Sequence, residues 1–375
     1  MSLPQAEIAP ASRYLTAPPL AISSVATTRD LDGLSEEWDA LADRIGASPF
    51  LRPGWIAAWW EAFGRGELEI LTARRGESLQ AVVPIAHRHG KDASPSNWHT
   101  PECGLLSIDG ASGAAVLSEL FARRSRHISL GVLRLAAPAP ELAELEAIAA
   151  AARYRAVARS QGRSPYVDIR GEWSSYERAL KGDFRRDLFR RRRRLQRLGR
   201  VRLDVAHTTA RVADALALER LGWKGKKGTA ISSRPETSQF YTSIARWAAE
   251  RGSLRLGFLR LDGQAIAFHL AIEEGGVYYA IKGGFDPSFR AYAPGKLMVH
   301  GTLERAFATG LRRYELLGSD EDYKRPWATA ACDLVAFEAF APTLPGHLNQ
   351  VALTCARQVH KRALATVQRT SRRAR

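Results

Sequence analysis

The sequence predicts an α+β fold of the mixed α/β type, in which two similar halves each form a mostly antiparallel sheet flanked by helices. Three observations lead to this prediction. Helical and strand-like patterns are mixed within each half, and the strand-like runs meet at glycine turns. The segments LTARRGESLQAVVPI and FLRLDGQAIAFHLAI also share one arrangement of strand, glycine turn and strand, each after an apolar helix. The two halves are therefore expected to repeat one architecture.

The first half starts with two predicted helices. The earlier one, within 30–47, has apolar residues at helical spacing: Leu31, Leu34, Trp38 and Leu41. The second carries aromatic residues three and four positions apart, which predicts a side that faces the core: Trp55, Trp59, Trp60 and Phe63. Two strands then meet at a turn around Gly76, and an irregular segment covers 90–113. HISLGVLRLAAP predicts another strand, and a helix follows over 141–153.

The second half opens with an arginine-rich helix, and three leucines are predicted to mark its buried side: Leu188, Leu195 and Leu198. A strand over 201–205, a helix over 212–221, a basic loop (WKGKKGTAI) and a helix over 239–251 follow. Three strand-like runs joined at the Asp262-Gly263 and Gly275-Gly276 turns give the clearest β pattern in the chain. His269 lies among apolar residues in these runs and is expected to be a core histidine. A last strand-like run covers 334–340.

The stretch from Val277 to Leu317 organises this second half. An apolar run leads into a Gly/Pro loop, then a helix, then a second apolar run. Pro294 suits the first position of the helix, because its missing N–H needs no partner there. The amides of Gly295, Lys296 and Leu297 are then expected to point out of the helix start without acceptors. Together with the Lys296 side chain, they predict an anion site.

Length and charge limit the possible functions. The chain has 375 residues, enough for two domains that each bury a core. Its 55 Lys and Arg residues against 39 Asp and Glu give a formal net charge of +16, which predicts an anionic partner such as a phosphorylated cofactor, RNA, an acidic polymer or a membrane surface. We predict a flexible N-terminal arm over 1–29, a first half over 30–170, a second half over 171–345 and a basic tail over 346–375.

Several features favour a reduced, cytoplasmic setting. Cys103, Cys332 and Cys355 are far apart and have neither paired nor metal-ligand spacing, so we expect no disulfide and no metal site. The N-terminal segment has no basic start and no continuous apolar run, unlike a signal peptide. No run approaches the roughly 20 apolar residues that span a bilayer. The sequence also contains no GxSxG elbow and no Walker loop.

A series of motifs resembles the GNAT acyltransferase superfamily. WKGKKGTAI is followed by LRLDGQAIAFHLAIEEGGVYYAIKGGFDPSFRAYAPGKLM and then by GSDEDYKRPWA. Within the superfamily the motifs resemble the CelD-like branch, which is named for a cellulose-biosynthesis protein and is related in fold to the FemABX aminoacyl transferases. The earlier RPGW and WW elements are similar to the N-terminal half of that branch. The resemblance covers about 31–340 and implies two GNAT-like halves.

The resemblance implies that the C-terminal half holds acetyl-CoA, or another acyl-CoA, as the donor. In GNAT folds a strand, a loop and a helix start grip the pyrophosphate. The residues at the matching positions are predicted to bind the cofactor: Lys282, Arg290, Tyr292, Gly295, Lys296 and Leu297. Trp223 and Lys224, at the start of the basic loop, are predicted to line the acceptor cleft.

Acyl transfer from a thioester needs a positioned amine or hydroxyl, a group that accepts its proton, and a proton donor for the leaving thiolate. Glu315 and the acidic residues of GSDEDYK are candidate proton acceptors, or else belong to a solvated acidic turn. Asp286 is another candidate that also suits a turn cap. Tyr323 lies where some GNAT enzymes place the tyrosine that protonates sulfur, and core packing is the alternative. Lys324 completes the predicted catalytic set by binding a carboxylate or phosphate, unless it lies at the surface.

Three functions fit this sequence. The leading one is a GNAT-type acyltransferase that moves an acyl group, first of all acetyl, from CoA to an amine or hydroxyl of a small molecule or polysaccharide precursor. A FemABX-like transferase would keep the fold and take aminoacyl-tRNA as the donor. A non-catalytic module would bind an anionic polymer or a membrane surface. The arginine run from Arg185 to Arg202 suits RNA, polysaccharide or a membrane surface, although a solvated helix face explains it equally well.

Overall fold

The computed structural model describes residues 18–26, 28–136, 139–221 and 231–355. Most of the predicted N-terminal arm and of the basic tail lies outside these residues. Trp223 and Lys224, the two residues predicted to line the acceptor cleft, lie outside them as well. Among the described residues, no helix is both long and apolar enough to cross a bilayer.

The described strands form one continuous 13-stranded sheet. The order across the sheet is β1-β2-β3-β4-β6-β13-β7-β12-β11-β10-β9-β8, and β5 pairs with β3 beside this path. The strands are β1 Leu20–Val25, β2 Glu67–Arg75, β3 Ser78–Arg88, β4 Lys91–Ala93, β5 Leu106–Ser107, β6 His127–Leu135, β7 Arg155–Asp168, β8 Val201–Ala206, β9 Leu254–Leu261, β10 Gln264–Glu274, β11 Val277–Phe285, β12 Arg313–Glu315 and β13 Ala330–Phe340.

Helices flank this sheet on both faces, and short 3₁₀ turns connect some of the elements. The helices are α1 Thr28–Ile45, α2 Pro53–Phe63, α3 Gly110–Ala122, α4 Pro140–Ala151, α5 Trp173–Ala179, α6 Gly182–Gln196, α7 Val212–Leu221, α8 Pro235–Glu250 and α9 Pro294–Ala308. Together with the strands, they give the mixed α/β architecture that the sequence predicts.

The two halves repeat one order of elements. In the first half, β1 is followed by α1, α2, the β2-β3-β4 meander, α3 and β6. In the second half, β8 is followed by α7, α8, the β9-β10-β11 meander, α9 and β12. Each meander is antiparallel, and in each half the strand after the last helix pairs in parallel, β6 with β4 and β12 with β11. The repeat is therefore more complete than the two-strand similarity seen in the sequence.

Each half contributes a strand that pairs with strands of the other half. β13, the last described strand, lies between β6 and β7 and pairs antiparallel with both. The end of β7 pairs antiparallel with β12 of the second half. Because β13 completes the first half while belonging to the second in sequence, the two halves share one sheet and cannot be separated by cutting one linker.

The aromatic residues of α2 lie where the sequence predicts. Trp55 and Trp59 are buried in a core cluster shared with α8, and Trp60 and Phe63 pack against that cluster. On α6, Leu188 and Leu195 are buried as predicted. The prediction for Leu198 is wrong: α6 ends at Gln196, and the Leu198 side chain is 50% exposed because it lies beyond the helical face.

Candidate active site

The parallel pair β11–β12 opens into two diverging segments. Val277, Tyr278 and Tyr279 pair with Arg313, Tyr314 and Glu315, and the pairing stops there. β11 then continues beside β10 alone, while the chain after β12 follows β7, where the Leu316 N–H donates to the Pro165 carbonyl at 3.2 Å. The facing edges of the two segments keep backbone groups that an extended ligand can pair with.

A β-bulge lies in β11 at this opening. Leu270 of β10 pairs with Lys282, whereas the next residue of β10, Ala271, pairs with Ala280, so Ile281 is the extra residue. A bulge disturbs the strict alternation of side chains between the two faces of a sheet. Ile281 packs on the face that carries α2 and α8, and the Lys282 ammonium lies on that same face, 5.2 Å from the ring centre of Tyr241.

The start of α9 lies just beyond the end of β11. Ala293 has a left-handed backbone (φ 50°), and its carbonyl accepts the N–H groups of Lys296 at 2.9 Å and Leu297 at 3.2 Å. The prediction that three amides lack acceptors is therefore wrong for these two, because the residue that precedes a helix already supplies the acceptor for its first bonds. Within the described part of the chain, the Gly295 N–H has no backbone acceptor, and it lies at the positive end of the helix dipole.

Positive side chains of α6 border this helix start. The Lys296 Nζ atom lies 3.7 Å from the Asp187 carboxylate, which also accepts hydrogen bonds from Arg190 and Arg191. The hydrogen bond from Arg191 is the main reason that the pKa of Asp187 is lowered. Arg191 donates to the Ala291 carbonyl at 2.7 Å. The loop before α9 is therefore attached to the arginine-rich helix.

The six predicted cofactor residues do not form one cluster. Arg290 is exposed in the loop, and the Tyr292 ring lies under the Arg194 guanidinium, 5.6 Å from it. Leu297 is buried in the core under α9, so its side chain supports the helix. Lys282 lies apart from the others, because the bulge places its ammonium on the opposite face of the sheet, 4.7 Å from the Trp98 ring centre.

Asp286, predicted to be catalytic, caps a turn. Its Oδ1 atom accepts the backbone N–H of Ser288 at 2.9 Å and the Ser288 hydroxyl at 2.7 Å. These bonds stabilise the 3₁₀ turn Pro287–Tyr292, which leads into α9. The alternative that the sequence left open, a local cap, is the arrangement found.

The GSDEDYK segment is held together by its own ion pairs. The Lys324 ammonium is buried, donates to the Leu317 carbonyl at 2.7 Å and the Ser319 carbonyl at 3.3 Å, and pairs with Glu321 at 2.8 Å. These contacts make Lys324 a brace for the loop that follows β12. Tyr323 is 53% exposed beside it. A further pair of carboxylates, Asp320 and Asp322, binds Arg325.

Glu315 is buried and takes part in an ion pair between the halves. Its side chain is 4% exposed, and its Oε2 atom lies 2.5 Å from Nη2 of Arg134 on β6. The same guanidinium donates to the Ser164 hydroxyl at 2.9 Å. The last residue of β12 is thereby tied to the first half of the chain.

The residues that the first half brings to this opening were not predicted from the sequence. They belong to the motif NWHTPEC, which lies within the irregular segment 95–104. His99 is buried, its Nδ1 atom is 2.9 Å from the Tyr241 hydroxyl, and burial together with the charges of Lys282 and Arg234 lowers its pKa to about 3. Trp98 is 73% exposed. A run of polar and aromatic residues in an irregular segment between apolar strands was the available signal.

Glu102 is the most distinctive of these residues. It is half-buried, and its Oε2 atom accepts a hydrogen bond from the Ser48 hydroxyl at 2.6 Å. Burial raises the pKa of the Glu102 carboxyl, Arg134 and the Ser48 hydrogen bond oppose that shift, and the negative charge of Glu315 adds to it. Glu102, Arg134 and Glu315 thus form one charged cluster beside the point where β11 and β12 diverge.

Comparisons with known proteins agree with this geometry. Residues 182–325 match the family described as "Acetyltransferase (GNAT) domain". Three solved structures share the fold at low sequence identity. The structure of FemX has 12% identity and a TM-score of 0.59, covering 88% of this chain and 99% of its own. A tandem GNAT protein from the clavulanic acid biosynthesis pathway has 12% identity and a TM-score of 0.50, covering 86% and 100%.

The third structure, from Agrobacterium fabrum, is described as the C-terminal DUF2156 domain of a proposed lysylphosphatidylglycerol synthetase. It has 13% identity and a TM-score of 0.50, covering 82% of this chain and 92% of its own. The chain matches no curated protein sequence. The family match covers β11, α9 and β12, and the structural matches extend over both halves. Residues 182–325 therefore match a GNAT acetyltransferase domain, and the whole chain has a tandem GNAT-like fold.

Proposed function

We propose that the protein is a GNAT-type acyltransferase that moves an acyl group, first of all acetyl, from CoA to an amine or hydroxyl of a small molecule or polysaccharide precursor, as in the CelD-like branch. One observation carries the proposal. The parallel strands β11 and β12 diverge within the matched domain, and α9 starts directly beyond β11 with an uncapped N-terminus. An extended thioester arm fits between the strands, and its phosphates fit at the helix start.

In this proposal Gly295 and Lys296 bind the phosphates, and Arg290 and Tyr292 line their approach. Leu297 anchors the helix from below. The acceptor's lone pair attacks the thioester carbonyl near the bulge in β11, where Lys282 reaches the acceptor side of the sheet. Protein groups contribute chiefly by positioning the two reactants, because thioesters react readily with a well-placed nucleophile.

The remaining predicted residues take supporting roles. Tyr323, exposed beside the loop after β12, is the proposed proton donor for the leaving thiolate. Lys324 fixes that loop, and Glu315 orients Arg134 at the diverging strands. Trp223 and Lys224 are proposed to line the acceptor cleft. Asp286 keeps the loop before α9 in place.

Calorimetry with acetyl-CoA tests the donor. We expect the wild-type protein to bind one acetyl-CoA and Lys296→Glu to bind it at least tenfold more weakly, which corresponds to about 1.4 kcal/mol. Arg65→Glu, a charge reversal at an exposed residue of the first half, is the matched control and should leave affinity unchanged. No binding by folded wild-type protein would rule out acyl-CoA as the donor. Equal affinity in Lys296→Glu would show that the phosphates lie elsewhere.

A second function, a FemABX-like transferase with aminoacyl-tRNA as donor, is favoured by one observation. Exposed arginines of α6 continue the positive surface from the start of α9 along the helix: Arg186, Arg190, Arg192, Arg193 and Arg194. A polyanion longer than a CoA molecule could follow that surface. Binding of charged tRNA that weakens steeply with salt, with no affinity for acetyl-CoA, would replace the first proposal by this one.

A further inference from the structure

The segment 95–104 is fixed to the edge of β6 by hydrogen bonds. The Ser96 hydroxyl donates to the Gly131 carbonyl at 2.7 Å, and the Cys103 N–H donates to the Val132 carbonyl at 2.9 Å. Cys103 itself is buried in the core. Hydrogen bonds on both sides of Glu102 in the sequence therefore fix the position of its backbone. A side chain that transfers protons during catalysis requires such a fixed position.

The surroundings of Glu102 come from both halves of the chain. Ser48 precedes α2, Arg134 lies on β6, and Glu315 ends β12. Glu102 also acts electrostatically on the Tyr279 hydroxyl, whose pKa is raised chiefly by burial and further by the charges of Glu102 and Glu315. Tyr279 and Glu315 are the last paired residues before β11 and β12 part. The Glu102 carboxylate thus lies at the mouth of the opening where the acyl group would lie.

The other carboxylates near this opening are engaged elsewhere. Glu315 is bound to Arg134, Asp286 caps a turn, and Glu321 pairs with Lys324. These contacts give each of the three carboxylates a structural role. The Glu102 carboxylate receives one hydroxyl hydrogen bond and keeps its second oxygen available for another donor.

The two histidines near this opening are poor proton acceptors. Burial and two nearby positive charges lower the pKa of His99 to about 3, and burial lowers the pKa of His269 to about 4. Groups with pKa values this low are inefficient general bases for an amine or hydroxyl near neutral pH. Among the titratable side chains that the structure describes at the opening, Glu102 has both the position and the basicity required.

We propose that Glu102, from the N-terminal half, is the catalytic base that removes the proton from the acceptor nucleophile. This inference rests on the proposed acyl transfer. As the acceptor nitrogen or oxygen forms its bond to the thioester carbonyl carbon, its proton passes to the Glu102 carboxylate. Cleavage of the C–S bond returns an electron pair to sulfur. The proton then leaves Glu102 for solvent, the thiolate takes one up, and the carboxylate is restored.

The N-terminal half is thus part of the catalytic site and not only a support. Arg134 is a positioning residue in this arrangement, because it holds Glu315 and faces Glu102 with its positive charge. The groups that set the titration of Glu102 are Arg134 on β6, Glu315 on β12 and the Ser48 hydroxyl before α2. Burial outweighs the guanidinium, which keeps the carboxylate more basic than an exposed glutamate.

The test compares Glu102→Gln with Glu102→Asp and with Glu67→Gln, a matched neutralisation at an exposed glutamate of the same half. Acetyl-CoA affinity is measured by calorimetry, and CoA release is measured by chromatography with water and with ethanolamine, which offers both an amine and a hydroxyl. We expect affinity to be unchanged in all three variants. Glu102→Gln should release CoA about 10²- to 10⁴-fold more slowly and lose the rise of rate with pH. Glu102→Asp should recover part of the rate, and Glu67→Gln should match the wild type.

Each other outcome overturns a defined claim. Wild-type rate and pH profile in Glu102→Gln, with affinity retained, would remove Glu102 as the base. Wild-type protein that binds acetyl-CoA without releasing CoA faster than buffer would also overturn the role, because a poised base beside a bound thioester must promote attack by water or ethanolamine. Absence of acetyl-CoA binding in wild-type protein would overturn the proposed donor, and the role of Glu102 with it, so the two failures are distinct.

Discussion

The two halves have the same order of elements but differ in whether a side chain caps the start of the equivalent helix. In the first half Asp109 precedes α3, and its carboxylate accepts the Ser112 N–H at 2.7 Å. In the second half Ala293 precedes α9, and alanine has no side-chain acceptor. The first helix start thus carries its own negative group, whereas the second is left for an external anion. This difference is why we propose that the donor phosphates bind at only one of the two equivalent helix starts.

The diverging strands differ in the same way. After β4 leaves β6, the chain itself fills the opening, because Ser94, Ser96 and Cys103 all hydrogen-bond to β6. No described segment makes backbone hydrogen bonds into the corresponding opening between β11 and β12. The segment that fills the opening between β4 and β6 is the one that carries His99 and Glu102. In the first half a loop thus occupies the place that corresponds to the donor site proposed for the second half.

The largest effect is expected from breaking the ion pair that joins the halves. Arg134→Met leaves the buried Glu315 carboxylate with only the more distant Arg313 guanidinium, at 3.8 Å, and loss of one member of a buried pair costs about 3–5 kcal/mol. Urea unfolding should show this loss, and adding Glu315→Gln should restore most of it. Arg159→Met removes a guanidinium that is more exposed and should cost less. Equal losses for the two arginines would mean that the Arg134 pair stabilises the fold no more than a pair in which only the carboxylate is buried.

How much of this could be foreseen depends on the range of the interactions. Pro294 fixed the start of α9, and glycine turns fixed the meander β9-β10-β11, because both are local signals. The insertion of β13 between β6 and β7 pairs residues that are far apart in the sequence, such as Asp333 and Leu135. The register of such a pairing depends on partners that no local pattern contains. Glu102 was missed for the same reason, since its neighbours come from three distant parts of the chain.

Lys282 shows a different limit. Strict alternation along β11 would place it on the face of α9, where the predicted phosphate site needs it. The single extra residue Ile281 moves its ammonium to the opposite face, towards Trp98 and Tyr241. A bulge depends on pairing with β10, and one inserted residue reverses the side that every later residue would occupy.

The second prediction concerns a variant in which α9, like α3, is preceded by a carboxylate. Ala293→Asp puts a carboxylate beside the Gly295 amide and should weaken acetyl-CoA binding about tenfold, or about 1.4 kcal/mol, through charge repulsion. Ala293→Asn is the matched control, because asparagine tolerates the same positive φ without the charge. Calorimetry on both variants gives the comparison. If the two bind equally well, the negative charge at the helix start is not what distinguishes the halves.

The third prediction removes the cap of the first half. Asp109→Ala deprives α3 of its side-chain acceptor and should lower the free energy of unfolding by about 1 kcal/mol, while acetyl-CoA affinity stays unchanged. Asp109→Asn keeps an oxygen acceptor and should lose less. The stoichiometry should remain one acetyl-CoA per chain, because the segment 95–104 still fills the opening beside β6. A second binding event in Asp109→Ala would show that the cap alone had closed a donor site.

The smallest effect is a pH dependence that belongs to the first half. The His87 ring lies between Asp92 and Glu69, with Nδ1 2.7 Å from the Asp92 carboxylate and Nε2 2.5 Å from the Glu69 carboxylate. The pKa of His87 is raised, chiefly because the ring donates a hydrogen bond to Asp92, and burial opposes this shift. Because the folded-state pKa is raised, this stabilisation is complete below the unfolded value of about 6.5 and is lost as pH rises through the folded value.

Unfolding in urea across that range should show a fall of less than about 1 kcal/mol, since the ring is partly solvated. His87→Gln should remove the fall, and His89→Asn, a change at an exposed neighbouring histidine, should keep it. Hydrogen exchange then locates the loss: amides of β2, β3 and β4 should lose protection as the pH rises, while those of β9, β10 and β11 should follow only global unfolding. Equal loss in both sets would mean that the shared sheet unfolds as one unit and that the two halves differ in ligand chemistry without differing in local stability.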